Sequence, residues 1–126
     1  MAKILLAEDE VAVREFVRRA LTHSGHHVTA VDSGHAATLA LGGSDFDLLL
    51  TDIVMPGIDG IDLALYAAEA CEGMAILLMT GYAAERQRAH RIEQLSYRVI
   101  AKPFTLRDIC AAVNETLAQR PARKVA

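Results

Sequence analysis

Five short apolar runs, at about 3–7, 27–31, 47–52, 75–80 and 97–101, alternate with segments whose apolar residues recur every three or four positions. Short apolar runs bounded by turn residues read as buried strands and the longer period reads as helix. The alternation therefore predicts βαβ units and a parallel sheet covered on both faces. The first helix, at about 10–24, carries Val13, Phe16, Val17, Ala20 and Leu21 on one side and stops at Gly25. A second starts at Ser33 as N-cap and ends at Gly42-Gly43. Ile61, Ala64, Leu65 and Ala68 define a third, which follows the Asp59-Gly60 turn and closes by Gly73. The last begins with Thr105 as N-cap and Asp108 three residues on, a capping-box spacing, with Leu106, Ile109, Cys110, Val113 and Leu117 as its inner stripe. Segment 83–95 differs. Glu85, Arg86, Gln87, Arg88, His90, Arg91, Glu93 and Gln94 leave only Ala89, Ile92 and Leu95 for burial, so it is expected to be the least firmly docked of five helices.

A length of 126 residues suits one core, read as a single domain over 1–119 with a loose tail over 120–126. With no room for a second globular unit, any output is expected in trans. The apolar fraction of 52% is divided among runs far shorter than the roughly 18 residues of a membrane span, which points to a soluble protein. Met1-Ala2-Lys3 leads directly into the first strand, leaving no space for a signal peptide, so the cytoplasm is expected. Cys71 and Cys110 each fall in a helical pattern and read as buried thiols in a reducing compartment, with a disulfide between them still open. A net charge of -3 gives no bias toward nucleic acid or membrane, and neither is expected as a partner.

Candidate chemistry gathers where the strands end. Glu8-Asp9-Glu10 follows the first strand, Asp52 closes the third ahead of the Met55-Pro56-Gly57 turn, Thr80-Gly81 closes the fourth, and Lys102-Pro103 the fifth. In open α/β sheets the reactive crevice lies outside the carboxyl ends of the strands, so these side chains are predicted to converge. Asp9 and Asp52, helped by Glu8, offer hard oxygen ligands suited to Mg²⁺. The ion would keep the Asp52 carboxylate ionised as a nucleophile, while Lys102 and the Thr80 hydroxyl contact phosphoryl oxygens.

The motifs Glu8-Asp9, Asp52-x-x-Met55-Pro56-Gly57-x-Asp59-Gly60, Thr80-Gly81 and Lys102-Pro103-Phe104, in this order and spacing, resemble the receiver domain of bacterial two-component response regulators over about residues 3–119. The resemblance implies a flavodoxin-like, doubly wound five-stranded parallel sheet in the order 2-1-3-4-5, with five helices. It implies that Asp52 is the phosphoacceptor for a histidine kinase or histidine phosphotransferase. Glu8, Asp9, Asp52 and the Val54 backbone carbonyl would hold Mg²⁺, and Thr80 and Lys102 would contact the phosphoryl group. It also implies a cis Lys102-Pro103 peptide, which aims Lys102 back at Asp52. Such a domain accepts and slowly loses its own aspartyl phosphate and has no separate substrate. Within the family, the stretches Phe46 to Gly57 and Lys102 to Asp108 resemble stand-alone regulators of proteolysis. That narrower likeness implies an output protein partner, the ClpX unfoldase of a ClpXP-type protease.

Two departures from the family pattern stand out. Val99 occupies the place three residues before the lysine where the family keeps a Tyr or Phe switch, leaving Tyr97 or Tyr82 as the substitute aromatic. Val54 and Tyr82 stand two residues beyond Asp52 and Thr80, where neither orients a hydrolytic water as an amide or acid would. A longer-lived acyl phosphate is expected.

Taken singly, Asp9 reads as an N-cap, Asp52 as a turn residue, and Lys102 and Thr80 as ordinary surface groups. Their coincidence at four strand ends favours chemistry. His23, His26 and His27 straddle a helix end without an acidic or Cys partner and are read as structural. Arg86, Arg88 and Arg91 read either as a solvated face or as a docking surface. The rival functions are a phosphorelay shuttle, a motility regulator, and a small Mg²⁺-dependent aspartyl phosphatase. The last is disfavoured because Asp52-Ile53-Val54 lacks a second acid two residues on.

Overall fold

The computed structural model describes residues 1–81 and 97–120. Within them the chain alternates strand and helix as β1 (Lys3–Ala7), α1 (Val11–His23), β2 (His27–Val31), α2 (Gly34–Gly43), β3 (Leu48–Asp52), α3 (Gly60–Ala70), β4 (Ala75–Thr80), β5 (Arg98–Ala101) and α4 (Leu106–Ala118). The expected helix at 83–95, with Tyr82, Arg86, Arg88 and Arg91, lies outside the described residues, as does the tail from 121 onward.

All strand pairings are parallel and the order is β2-β1-β3-β4-β5. From β1 the chain moves outward to β2 and then returns to the other side of β1 as β3. Strand order therefore reverses between β1 and β3, which opens a crevice above their carboxyl ends. All five residues of β3 are buried, as its central place demands, whereas β2 and β5 close the two edges and are only partly covered.

Alternation along each strand divides the core in two. Leu5, Leu49, Ile76 and Leu78 point to the face covered by α2 and α3, where they meet Ala37, Leu41, Ile61 and Ala64. Ile4, Leu6, Leu50 and Leu77 point to the opposite face and meet Val17 and Leu21 of α1 and Ile109 and Val113 of α4. Side-chain caps set three of the helix starts. Ser33 accepts from the Ala36 amide, Asp59 from Asp62, and Thr105 forms a reciprocal capping box with Asp108.

Three details differ from the sequence reading. In α3 the buried side is Ile61, Leu63, Ala64 and Ala67, with Leu65 and Ala68 exposed. Asp62, Tyr66 and Glu69, spaced i, i+4 and i+7, mark the exposed side opposite Ala64 and Ala67, and Leu65 borders that polar stripe. Leu106 lies in the first turn of α4 and is half exposed. Phe16 is likewise turned outward, its ring 6.4 Å from that of Phe104. Cys71 and Cys110 are free thiols, each half-buried.

Candidate functional site

Asp52 is the last residue of β3, paired in register with Met79 of β4, and its side chain is buried at the floor of the crevice. Glu8 follows β1 directly. Its amide donates to the Val31 carbonyl, which extends the sheet by one bond and turns the carboxyl inward, fully buried. Asp9, the next residue, faces solvent. Glu8, Asp9 and Asp52 each present a carboxylate oxygen, and these atoms lie within 4.8 Å of one another. Asp9 does not cap α1: the N-cap is Glu10, which makes no side-chain cap bond. The alternative structural reading of Asp9 thus fails.

Lys102 reaches the cluster from the end of β5. Its Nζ donates to Glu8 Oε1 at 2.6 Å and lies 3.3 Å from Asp52 Oδ2. Two features set that reach. The Lys102 amide donates to the Thr80 carbonyl at 2.6 Å. Gly81 leaves room for the stem, since a β-carbon there would stand 3.0 Å from Lys102 Cβ and 3.2 Å from Cδ. The Lys102-Pro103 peptide is cis. Thr80 stands one residue beyond Met79 at the same edge, and Val54 lies exposed in the turn after Asp52.

One ammonium faces two buried carboxylates, and the charge does not balance. Burial pushes the Glu8 carboxyl from its ordinary value of 4.5 up to about 7, against the opposing hydrogen bond from Lys102 and with further help from the Asp52 charge. Burial alone would lower the Lys102 ammonium, but its hydrogen bond to Glu8 and the charge of Asp52 reverse that and hold it above its ordinary value. Glu8 Oε2 is buried with no hydrogen-bond partner. A crevice short of positive charge, lined by hard oxygens and holding an orphaned carboxylate acceptor, fits a divalent cation such as Mg²⁺. Among the described residues this is the one His, Cys, Asp and Glu cluster with metal-ligand spacing. His26 is absorbed structurally, its Nδ1 accepting from the Ala2 amide at 3.1 Å.

The mouth of the crevice continues into a hollow of about 390 Å³ bordered by Val13, Phe16, Gly81, Lys102, Pro103 and Phe104. Gly60, the first residue of α3, packs against the backbone of Asp52 and Ile53. Its amide donates to the Ile53 carbonyl at 2.7 Å, and a β-carbon on it would fall 2.0 Å from the Asp52 carbonyl oxygen. Sequence reasoning gave Gly60 no part beyond the turn. A Gly before a helix is common, and no sequence pattern marks a backbone approach across a loop.

The family model for the response regulator receiver domain matches residues 4–114, and the chain belongs to that family. Particular relatives narrow the likeness. Over 117 residues the chain is 42% identical to the response regulator receiver protein CpdR of Brucella abortus, a match covering 93% of this chain and 98% of that protein. It is 36% identical over 121 residues to the response regulator protein FleR of Pseudomonas aeruginosa, spanning 95% of this chain and 26% of FleR. A solved response regulator receiver protein from Sinorhizobium medicae superposes with a TM-score of 0.82 at 32% identity, over 94% of this chain and 96% of that one. A receiver domain protein from Clostridium thermocellum reaches 0.84 at 22% identity, over 94% and 96% of the two chains, a likeness of fold. No helix among the described residues is long and apolar enough to cross a membrane.

Proposed function

We propose that the protein is a single-domain response regulator whose Asp52 accepts a phosphoryl group from a phosphohistidine donor and whose phosphorylation state is read by a protein partner in the cytoplasm. The observation that carries this reading is the convergence of Glu8, Asp9 and Asp52 within 4.8 Å, with the Lys102 ammonium 3.3 Å from Asp52. An Asp52 carboxylate oxygen attacks phosphorus, the donor N–P bond breaks, its electron pair returns to the imidazole, and an acyl phosphate forms. Glu8, Asp9, Asp52 and the Val54 carbonyl would hold Mg²⁺, which would supply positive charge to the phosphoryl oxygens. Lys102 exchanges part of its contact with Glu8 for a phosphoryl oxygen, and Thr80 donates its hydroxyl to another. Val54 has no group to orient a hydrolytic water, which supports a slowly lost phosphate. The apolar hollow beside Lys102 suits a helix of the donor, a histidine kinase or histidine phosphotransferase.

For output, the similarity to CpdR over 98% of that protein favours an adaptor acting on a ClpXP-type protease through ClpX. A small-molecule phosphodonor with Mg²⁺ should add one phosphoryl by intact mass to the natural protein and none to Asp52→Asn. Equal labelling of that variant would refute the acceptor. The adaptor reading is tested separately, by degradation of reporter substrates by purified ClpXP with and without the protein in each phosphorylation state. No change in either state would leave the acceptor intact and remove the adaptor.

A further inference from the structure

The β1 ladders to β2 and β3 end at Ala7, so the carbonyl of Glu8 lies beyond the sheet. Arg14, from the first turn of α1, folds back six residues and donates from Nη1 to that carbonyl at 2.9 Å. The same turn is otherwise weakly fixed at its start, because the Glu10 N-cap makes no side-chain bond. Glu8 is one end of this bridge and residues 9–13 run between the ends, so two of the three clustered carboxylates belong to a loop closed by one guanidinium. From this geometry we infer that Arg14 is a positioning residue for the cation site, holding the Glu8-Asp9 backbone so that both carboxylates meet Asp52. The inference rests on the reading of that cluster as a Mg²⁺ site.

Arg14 is given a positional role because its donor is spent on a backbone oxygen. Loss of its positive charge beside an acidic cluster would by itself favour a cation, so weaker Mg²⁺ binding on its removal reports the released loop and not the charge. Groups one bond removed from a metal's ligands commonly change affinity about 10–100-fold when lost, by letting the ligands wander from a shared centre.

The test is calorimetric titration of Mg²⁺ into the natural protein, Arg14→Met and Arg14→Lys, together with thermal melts in chelator. Arg14→Met keeps the aliphatic stem and loses the donors. Its Mg²⁺ Kd should rise about tenfold or more. Arg14→Lys, with a single donor on a shorter reach, should fall between the two. Saturating Mg²⁺ should return the phosphorylation rate of Arg14→Met to that of the natural protein, a rescue that a general loss of structure would not show. If Arg14→Met does not fold, Arg14→Gln, whose amide stops short of the carbonyl, takes its place with the same expectations. A folded variant that binds Mg²⁺ with unchanged Kd overturns the role of Arg14. Absence of Mg²⁺ binding by the natural protein overturns instead the reading of the cluster on which it rests.

Discussion

Lys102 Nζ lies closer to Glu8 Oε1, at 2.6 Å, than to Asp52 Oδ2, at 3.3 Å. The ammonium thus occupies the electrostatic position that a divalent cation would share. Lys102→Met should leave two buried carboxylates without it. Breaking a buried ion pair from one side costs roughly 3–5 kcal/mol, and this variant should lose about that much in chelator. Mg²⁺ should then stabilise Lys102→Met by more than it stabilises the natural protein. Denaturant melts with and without Mg²⁺ measure both quantities, and an equal Mg²⁺ increment in the two proteins would contradict the competition.

The raised Glu8 carboxyl makes stability depend on pH. Its folded value of about 7 exceeds the ordinary 4.5, so between those values the folded state binds more protons than the unfolded. Stability from this group is therefore fully present below about 4.5 and is lost as pH rises through about 7. Metal-free protein should melt progressively lower across that window, and Glu8→Gln should flatten the slope. Saturating Mg²⁺ should weaken or invert it, because the ion favours the ionised carboxyl. Melting temperatures across the window, in chelator and in Mg²⁺, check the sign.

Gly60 and Gly42 form a matched pair. At Gly42 a β-carbon would meet nothing within 4 Å, so Gly42→Ala in α2 should stabilise by roughly 0.5–1 kcal/mol through helix propensity. At Gly60 the same methyl would fall 2.0 Å from the Asp52 carbonyl oxygen and 2.8 Å from Ile53 Cα. Overpacking against backbone outweighs propensity, and Gly60→Ala should cost about 1–3 kcal/mol or more. Because the displaced atoms belong to Asp52, phosphoryl acceptance should fall as well. Chemical denaturation and intact-mass labelling of both variants test the contrast.

Thr105 caps α4, next to the loop that carries Lys102, but Lys102 itself is held by the Thr80 carbonyl and the bare Gly81. Thr105→Ala should therefore lower stability by about 1 kcal/mol, a few degrees of melting temperature, and leave the rate of phosphoryl acceptance unchanged. A large loss of acceptance would mean that the cap, and not the β4 edge, sets the lysine.

The five strands were legible because each is a short apolar run ended by a charged or turn residue, and all begin and end within one residue of the spans read from the sequence. The caps at Ser33 and Thr105 were legible for a local reason: a side-chain oxygen and its amide partner are three residues apart. The convergence of Glu8, Asp9, Asp52 and Lys102 followed from strand ends sharing one edge. What escaped was non-local. Nothing in Gly60 announces the Asp52 carbonyl, nothing in Arg14 announces the Glu8 carbonyl, and the preference of Lys102 for Glu8 over Asp52 depends on side-chain length and burial. The inner face of α3 escaped for another reason: it lies opposite the stripe of Asp62, Tyr66 and Glu69, whereas the reading followed apolar spacing to Leu65, which borders that stripe.

The bare α-carbon of Gly81 against the Lys102 stem also makes a mechanical joint. The missing β-carbon, which would stand 3.0 to 3.2 Å from the lysine methylenes, lets the stem lie against the chain just past β4, and the Lys102 amide is bonded to the Thr80 carbonyl at 2.6 Å. A charge that drew the ammonium off Glu8 would pull on the end of β4 through that bond. An electrostatic event in the crevice would reach the main chain at this joint, and a single methyl added at Gly81 would push the lever aside.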